Sequence, residues 1–210
     1  GLPLLENLEA LNYLSPLDEA LPDQNGNKIF MTIDPDLQNK ARALLKAYNI
    51  PWGAIVAIEP KTGKVRTLAG YSTKEKNGEE VVSRASYPAA SLFKLITASA
   101  AIEQRGLTGD DTIFFRGGNY ALEKNNYYPD NRLDRRKITF ANALGRSINP
   151  AFARVALNNL SASSLERYAQ NFSFNKAIPF DAPIETSHFL RPDNDYDLAR
   201  TSAGFGPVLV

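Results

Sequence analysis

Apolar and polar positions divide this chain into segments of distinct period. The most apolar helical stretch is residues 87–106, YPAASLFKLITASAAIEQRG. Pro88 suits a first helical turn and Gly106 the position just past the last, while the Ala, Leu and Ile between them favour helix. One helix with marked ends is predicted. Between Ala89 and Ile102 apolar residues fall on every side, which predicts a helix buried all round. Upstream, residues 29–33 predict a short strand. Asp34 is placed to cap a helix begun by Pro35 and running to about Tyr48, with Leu37, Ala41, Leu44 and Leu45 on one face. Residues 53–58 and 65–70 are β-rich runs joined by Glu59-Pro60-Lys61-Thr62-Gly63-Lys64, a hairpin signature. Residues 72–80 are polar and predict an exposed loop, and 81–86 a short strand.

Residues 107–136 show no helical period and mix Asp, Gly, Asn and Arg with Phe114, Phe115, Tyr120, Tyr127 and Tyr128. An irregular cleft wall and a surface excursion anchored by its aromatics fit equally. From Ile138 the period returns, predicting a short helix to about Leu144, a break at 145–149 and a second helix from Pro150 to Leu160. Asn149 precedes a proline and is pushed away from helical ψ, so Ser147 and Asn149 are placed together in a tight interhelical loop, pointing the same way. An Asn capping the proline-led helix would explain Asn149 equally well. Ser163 or Ser164 is placed to cap a helix over 165–172. The beginning of the chain carries Leu4, Leu5, Leu8, Leu11 and Leu14 at apolar spacing and a turn-rich stretch at 22–27, which predict a short helix and a linker or hairpin turn. The organisation expected is an N-terminal segment or linker, 1–28, and one domain, 29–210.

Composition removes several classes of function. With 24 basic and 23 acidic residues, no global field favours nucleic acid or an anionic membrane. The absence of cysteine excludes disulfides, thiolate metal sites and a Cys nucleophile. A single histidine, His188, excludes a poly-His metal site, and a Ser-His-Asp triad would depend wholly on it. No run reaches transmembrane length and no signal peptide is visible. Because the chain begins with Gly, an upstream anchor or leader is compatible with it.

Candidate chemistry sits in the apolar helix. Lys94 is the only charge between Ala89 and Ile102, and a buried ammonium must escape to water, find acceptors or line a cleft. Ser91, three residues earlier, shares its face. In a first helical turn, free N–H groups and the positive dipole end favour developing negative charge. Ser91 is therefore a candidate nucleophile, Lys94 its proton acceptor and the Ser91 N–H an oxyanion donor. Thirteen Ser and eleven Lys in 210 residues give about one S-x-x-K by chance, so the helix context carries the inference. Ser173-Phe174-Asn175-Lys176 matches too, but in a polar stretch that reads as loop. Lys61-Thr62-Gly63 is explained by the hairpin turn.

The order of these pieces resembles the penicillin-binding transpeptidase domain, the serine acyltransferases that cross-link peptidoglycan. Thr32-Ile33-Asp34-Pro35-Asp36-Leu37-Gln38 is similar to the opening T-x-D-x-x-L-Q of that family, and residues 53–63 to its first hairpin. Residues 87–94 match its nucleophile segment, with Ala89-Ala90 where many members have Gly. Ser147-Ile148-Asn149 matches its S-x-N motif, and Ala203-Gly204-Phe205-Gly206 resembles a later glycine-rich turn. The resemblance implies an α+β fold, an antiparallel sheet packed between helices with the nucleophile helix in the core.

It further implies that Ser91 is acylated by D-Ala-D-Ala stem peptides and by β-lactams, with Lys94 as proton acceptor. Ser147 would relay the proton to the leaving amine, and Asn149 would hydrogen-bond Lys94 and the substrate amide. No metal or organic cofactor is needed. An extracytoplasmic location is implied, with a membrane anchor or further domains outside this chain. A D,D-carboxypeptidase or serine β-lactamase, and a non-catalytic wall-binding or sensor module, share the same features. The family's third motif, K-T/S-G, has no counterpart after Asn149. The apolar run 203–210 reads as cut off, so a truncated and poorly active domain is expected.

Overall fold

A computed structural model of the chain describes residues 21–22 and 28–210. The helix expected over Leu4 to Leu14 and the turn residues 23–27 lie outside these. The described chain divides into two compact units, one running to Arg84 and including Ile178–Glu185, the other comprising Ala85–Ala177 and Thr186–Val210.

In the first unit, β1 (Leu21–Pro22) pairs antiparallel with β2 (Lys28–Ile29). The strand expected over 29–33 ends at Ile29, and the chain then runs irregularly into α1 (Pro35–Tyr48). Asp34 caps α1, its side chain accepting from the N–H groups of Asp36 and Leu37, and Asn49 closes it in the left-handed conformation. The helix buries Gln38, Ala41 and Leu45, while Leu37 and Leu44 are exposed. The stripe is shifted from the expected one because Gln38 acts as a strand. Its amide donates to Leu68 O at 2.8 Å and accepts from Leu68 N at 2.9 Å, satisfying the free edge of β4 (Val65–Ser72). β4 forms the expected hairpin with β3 (Trp52–Ile58), with a register irregularity between Ala57 and Ile58. Gly63, at φ +71°, sits in the connecting turn, which leaves Lys61-Thr62-Gly63 a turn and no more. Gly78–Ser83 is a 3₁₀ helix where a loop and then a strand were expected. Ile33, Leu68 and Ala182 form one small core here, and Ala41, Leu45 and Ala69 another.

The second unit is built around α2 (Phe93–Arg105). Its start differs from the sequence expectation. Pro88 is not the first helical residue but forms an isolated antiparallel bridge with Leu209, after which a 3₁₀ turn, Ala90–Leu92, leads into the α-helix. The other end is as expected, with Gly106 at φ +67° accepting the left-handed cap position. α2 is not buried all round: Phe93, Lys94, Ile96, Thr97, Ala98, Ala100 and Ala101 are buried, whereas Leu95 and Ile102 are exposed, as is Leu92 just before it. Apolarity on every side permits full burial but does not supply neighbours for every side.

Around α2 lie α3 (Phe140–Gly145), α4 (Asn149–Asn159), α5 (Ala162–Asn171) and α6 (Asp195–Ser202). Thr139 caps α3, and Ser161 caps α5 in place of the expected Ser163 or Ser164. β5 (Thr112–Phe115) pairs with β6 (Arg136–Thr139), giving the 107–136 region a two-stranded base that its sequence did not announce. β7 (His188–Phe189) pairs with β8 (Val208–Leu209). Ser173, at φ +67°, and Asn175, at φ +57°, place the second S-x-x-K in a turn, in agreement with its sequence. Two apolar clusters share the unit's core, one on Phe115, Phe140, Ile148 and Phe152, the other on Phe93, Ile96, Leu165 and Phe189. The class is α+β. Among the described residues, however, the strands form four separate antiparallel pairs and not one sheet between helices.

Candidate active site

Ser91 lies in the 3₁₀ turn that opens α2, exposed to solvent. Lys94 follows one turn later on the same face and is 1% exposed. Its ammonium donates to Ser91 Oγ at 2.8 Å and to Ala203 O at 2.8 Å. The Phe152 ring lies 5.9 Å from Nζ. Burial pushes the Lys94 pKa down from 10.5 to about 8, because a desolvated ammonium is disfavoured against the neutral amine. Among the described residues no carboxylate forms a salt bridge with it. An exposed hydroxyl backed by a buried amine of lowered basicity is suited to losing its proton inward while attacking outward.

Ser147 completes a hydroxyl chain, its Oγ donating to Ser91 Oγ at 2.9 Å. The loop that carries it lies between α3 and α4, and Ser147 itself has φ +52°. Ala90, just before the candidate nucleophile, has φ +48°. A left-handed conformation costs an L-residue about 1–2 kcal/mol, so both strained positions border the same three side chains. Gly204, at φ +94°, explains how one of them is accommodated. A Cβ on Gly204 would stand 2.0 Å from Ala90 O and 3.0 Å from Ser91 N, so only glycine lets the chain after α6 lie against the nucleophile turn. Gly204→Ala is expected to push that turn aside and slow reaction at Ser91 by about 10²-fold. The rate of labelling by a fluorescent penicillin checks this; an unchanged rate would contradict it.

Asn149 is the first residue of α4, with Ile148 and not Asn149 at the cap position. Its backbone N–H donates to Asn119 O at 2.8 Å and its Nδ2 to Tyr120 O at 2.6 Å. Asn149 Oδ1 is buried and without a hydrogen-bond partner. This departs from the expectation that Asn149 bonds Lys94, whose donors go to Ser91 and to the backbone at Ala203. A carbonyl at the end of α6 satisfies the ammonium, as a helix C-terminus does for a cation.

The segment that meets Asn149 is fixed from below by groups the sequence did not single out. Arg154 on α4, 1% exposed, donates from Nε to Asp134 Oδ2 at 2.6 Å and from Nη2 to Asp134 Oδ1 at 2.9 Å. It also reaches the carbonyls of Asn126 and Tyr127. Arg116 donates to Asp134 Oδ1 at 2.9 Å. Burial pushes the Asp134 carboxyl up, but hydrogen bonds from Arg154 and the Asp130 N–H, the Arg154 charge and Arg116 outweigh it and hold the pKa below the usual value. Arg136 secures the adjoining loop through Gly117 O at 2.5 Å and Asn119 Oδ1 at 2.8 Å. Arg154 could have been noticed as a lone charge among Ala151, Phe152, Ala153, Val155 and Ala156. Its partner, far off in sequence, could not.

His188 is exposed on β7 and makes no hydrogen bond to Ser91, Lys94 or Ser147. Among the described residues no cluster of His, Cys, Asp or Glu suits a metal ion. A cavity of about 390 Å³ in the first unit is lined by Asn39, Arg42, Lys46, Glu75 and Glu79 among others, and contains none of the candidate site residues.

Residues 53–210 match the family model described as the penicillin binding protein transpeptidase domain. Penicillin-binding protein 3 of Bacillus subtilis is 26% identical over 220 residues, covering 92% of this chain and 32% of that protein. The peptidoglycan D,D-transpeptidase PbpA of Mycobacterium tuberculosis is 26% identical over 196 residues, covering 79% of this chain and 39% of its own length. The chain thus spans 32% and 39% of the length of these relatives. The structure of penicillin-binding protein A from M. tuberculosis as an imipenem acyl-enzyme complex shares the fold, with a TM-score of 0.64, 23% identity, and coverage of 89% of this chain and 51% of that one.

Proposed function

This chain belongs to the penicillin-binding protein transpeptidase family, and from that premise we propose that it is the acyl-enzyme-forming part of a serine D,D-transpeptidase acting on peptidoglycan stem peptides. The observation that carries the reading is the 2.8 Å contact between exposed Ser91 Oγ and buried Lys94 Nζ. In its neutral form Lys94 accepts the Ser91 proton as Oγ attacks the carbonyl carbon between the two terminal D-Ala residues. The carbonyl oxygen takes the negative charge, and the Ser91 N–H at the mouth of α2 supplies one donor for it. Collapse of the adduct breaks the C–N bond. The departing amine takes its proton through Ser147, whose Oγ is 2.9 Å from Ser91 Oγ. A second stem-peptide amine then attacks the Ser91 ester by the reverse path. Asn149 Oδ1 is buried and unpartnered, and a shift of the Tyr120 segment that it packs against would expose it to accept an N–H from the bound peptide.

A β-lactam presents the same carbonyl in a strained ring and would acylate Ser91 while keeping its leaving amine tethered. Among the described residues no carboxylate hydrogen-bonds Ser91, Lys94 or Ser147. A transpeptidase holds its penicillin adduct whereas a β-lactamase hydrolyses it, so slow loss of the adduct is expected and fast loss would support a β-lactamase. A peptidoglycan substrate implies a location outside the cytoplasm, and no helix among the described residues is long and apolar enough to cross a membrane. Incubation with benzylpenicillin is expected to raise the intact mass by one antibiotic, with peptide mapping locating the adduct on Ser91. A folded protein of unaltered mass would instead support a non-catalytic wall-binding module.

A further inference from the structure

We propose that Thr97 is a positioning residue for Lys94, acting through the C-terminal turn of α6. The proposal deepens the acylation reading above and rests on it for its meaning in catalysis. Thr97 is fully buried on α2, one turn beyond Lys94. Its Oγ1 donates to Ser202 O at 2.9 Å, the carbonyl immediately before the one that accepts from Lys94 Nζ at 2.8 Å. Two neighbouring side chains of α2 thus hold two successive carbonyls at the end of α6. Ser202 Oγ ties the same turn to Ala199 O at 2.8 Å. Just past it, Gly204 lies against Ala90 and Ser91. The turn therefore touches both members of the nucleophile pair through backbone atoms, which no side-chain pattern reveals.

The physical consequence concerns the Lys94 proton. An ammonium at a helix C-terminus is stabilised by the partial negative charge of the free carbonyls, and the effect is lost if the carbonyl turns away. Among the described residues no other charged group hydrogen-bonds Lys94 or pairs with it. On α4, Arg154 is directed to Asp134; on α6, Asp197 bonds Asn194 at the opposite end and Arg200 reaches Phe205 O and the rings of Tyr196 and Phe205. On α2, Glu103 is bonded by Tyr168 and Arg105 reaches Asn159 O, both in its last turn. Arg146, beside Ser147, is exposed. Ala203 O is the acceptor that favours the protonated amine, and the Thr97 hydroxyl holds its turn in place. Without that hydroxyl the Ala203 carbonyl is held less firmly and opposes burial less, so the amine binds its proton less tightly and its reach toward Ser91 is less defined.

The test is titration of Lys94 in protein labelled with lysine-¹³Cε, followed by NMR, with the signal identified by its loss in Lys94→Met. Thr97→Val is expected to lower the midpoint by about one pH unit, a tenfold loss of proton affinity, and Thr97→Ser to leave it at the wild-type value. The pH profile of penicillin acylation is expected to move by the same amount. Should the valine variant not fold, Thr97→Ala removes the hydroxyl without placing a methyl group against Ser202 O. A wild-type midpoint in both variants lacking the hydroxyl, or an equal shift in Thr97→Ser, would overturn the proposal. If penicillin does not label the wild type, the acylation reading fails by itself, and the titration still decides whether Thr97 positions the amine.

Discussion

Lys94→Met is expected to be acylated by penicillin about 10² to 10⁴-fold more slowly than the wild type, the range associated with loss of a general base. Methionine fills similar volume and cannot take the Ser91 proton. In the wild type the rate is expected to rise with pH and level off above about 8, because burial leaves Lys94 with a pKa of about 8 and only the neutral amine can act as base. The variant loses this limb. Stability carries the complementary signal. Below about pH 8 the folded protein bears the full cost of the buried charge. Between about 8 and 10.5 the unfolded chain binds more protons at this position than the folded one, so the Lys94 contribution makes stability rise with pH across that window. The shift corresponds to roughly 3 kcal/mol. Urea unfolding of the wild type minus that of Lys94→Met, measured from pH 7 to 11, should show the rise. A flat difference would mean that the amine keeps its ordinary basicity and is not prepared for proton transfer.

Asp134→Ala is the second large effect, and it falls on stability. Arg154 would be left at 1% exposure with no counter-ion, and breaking a buried pair from one side costs about 3–5 kcal/mol. That is a large fraction of the stability of a domain, about 5–15 kcal/mol. Urea midpoints check it, provided the m-value is unchanged. Asp134→Asn separates charge from shape, since the amide can still meet Arg154 at one oxygen. The folded Asp134 pKa lies below its usual value of 3.8, so its stabilisation is present in full above about pH 4 and lost as pH falls through the folded value. The gap between wild type and Asp134→Asn should therefore close under acid. The variants should also release the loop of Asn119 and Tyr120 that holds Asn149, so that penicillin labelling weakens in whatever fraction remains folded.

These two charged residues, Lys94 and Arg154, mark how far the chain could be understood without coordinates. Arg154 is the lone charge of α4, and Lys94 the lone charge of the apolar run from Ala89 to Ile102. For Lys94 the sequence also supplies a neighbour, because Ser91 is three residues away and helical geometry alone brings the two together. For Arg154 it supplies none, since Asp134 comes from a stretch without helical period and meets Arg154 only through the fold. The caps behave similarly. Asp34 is identifiable from the Pro35 that follows it, and Gly106 from the end of the apolar run. The beginning of α2 is not, because Pro88 is suited equally to a first helical turn and to the bridge it makes with Leu209.

By itself the sequence determined the hairpin β3–β4, the lengths of α1 and α4, and the Ser91–Lys94 pair, all of which depend on local periodicity, turn residues and one-turn spacing, while the α+β class came from the family resemblance of its motifs. Tertiary structure alone decided that Ser147 reaches Ser91, that Asn149 bonds Tyr120 O and not Lys94, that Gln38 completes a strand edge, and that one side of α2 is exposed. It also decided that the Lys94 ammonium rests on the carbonyl of Ala203. The physical reason is that backbone carbonyls carry no residue signature and long-range partners no spacing. What a buried charge requires can be inferred from the chain, but which distant group satisfies it is settled only by packing.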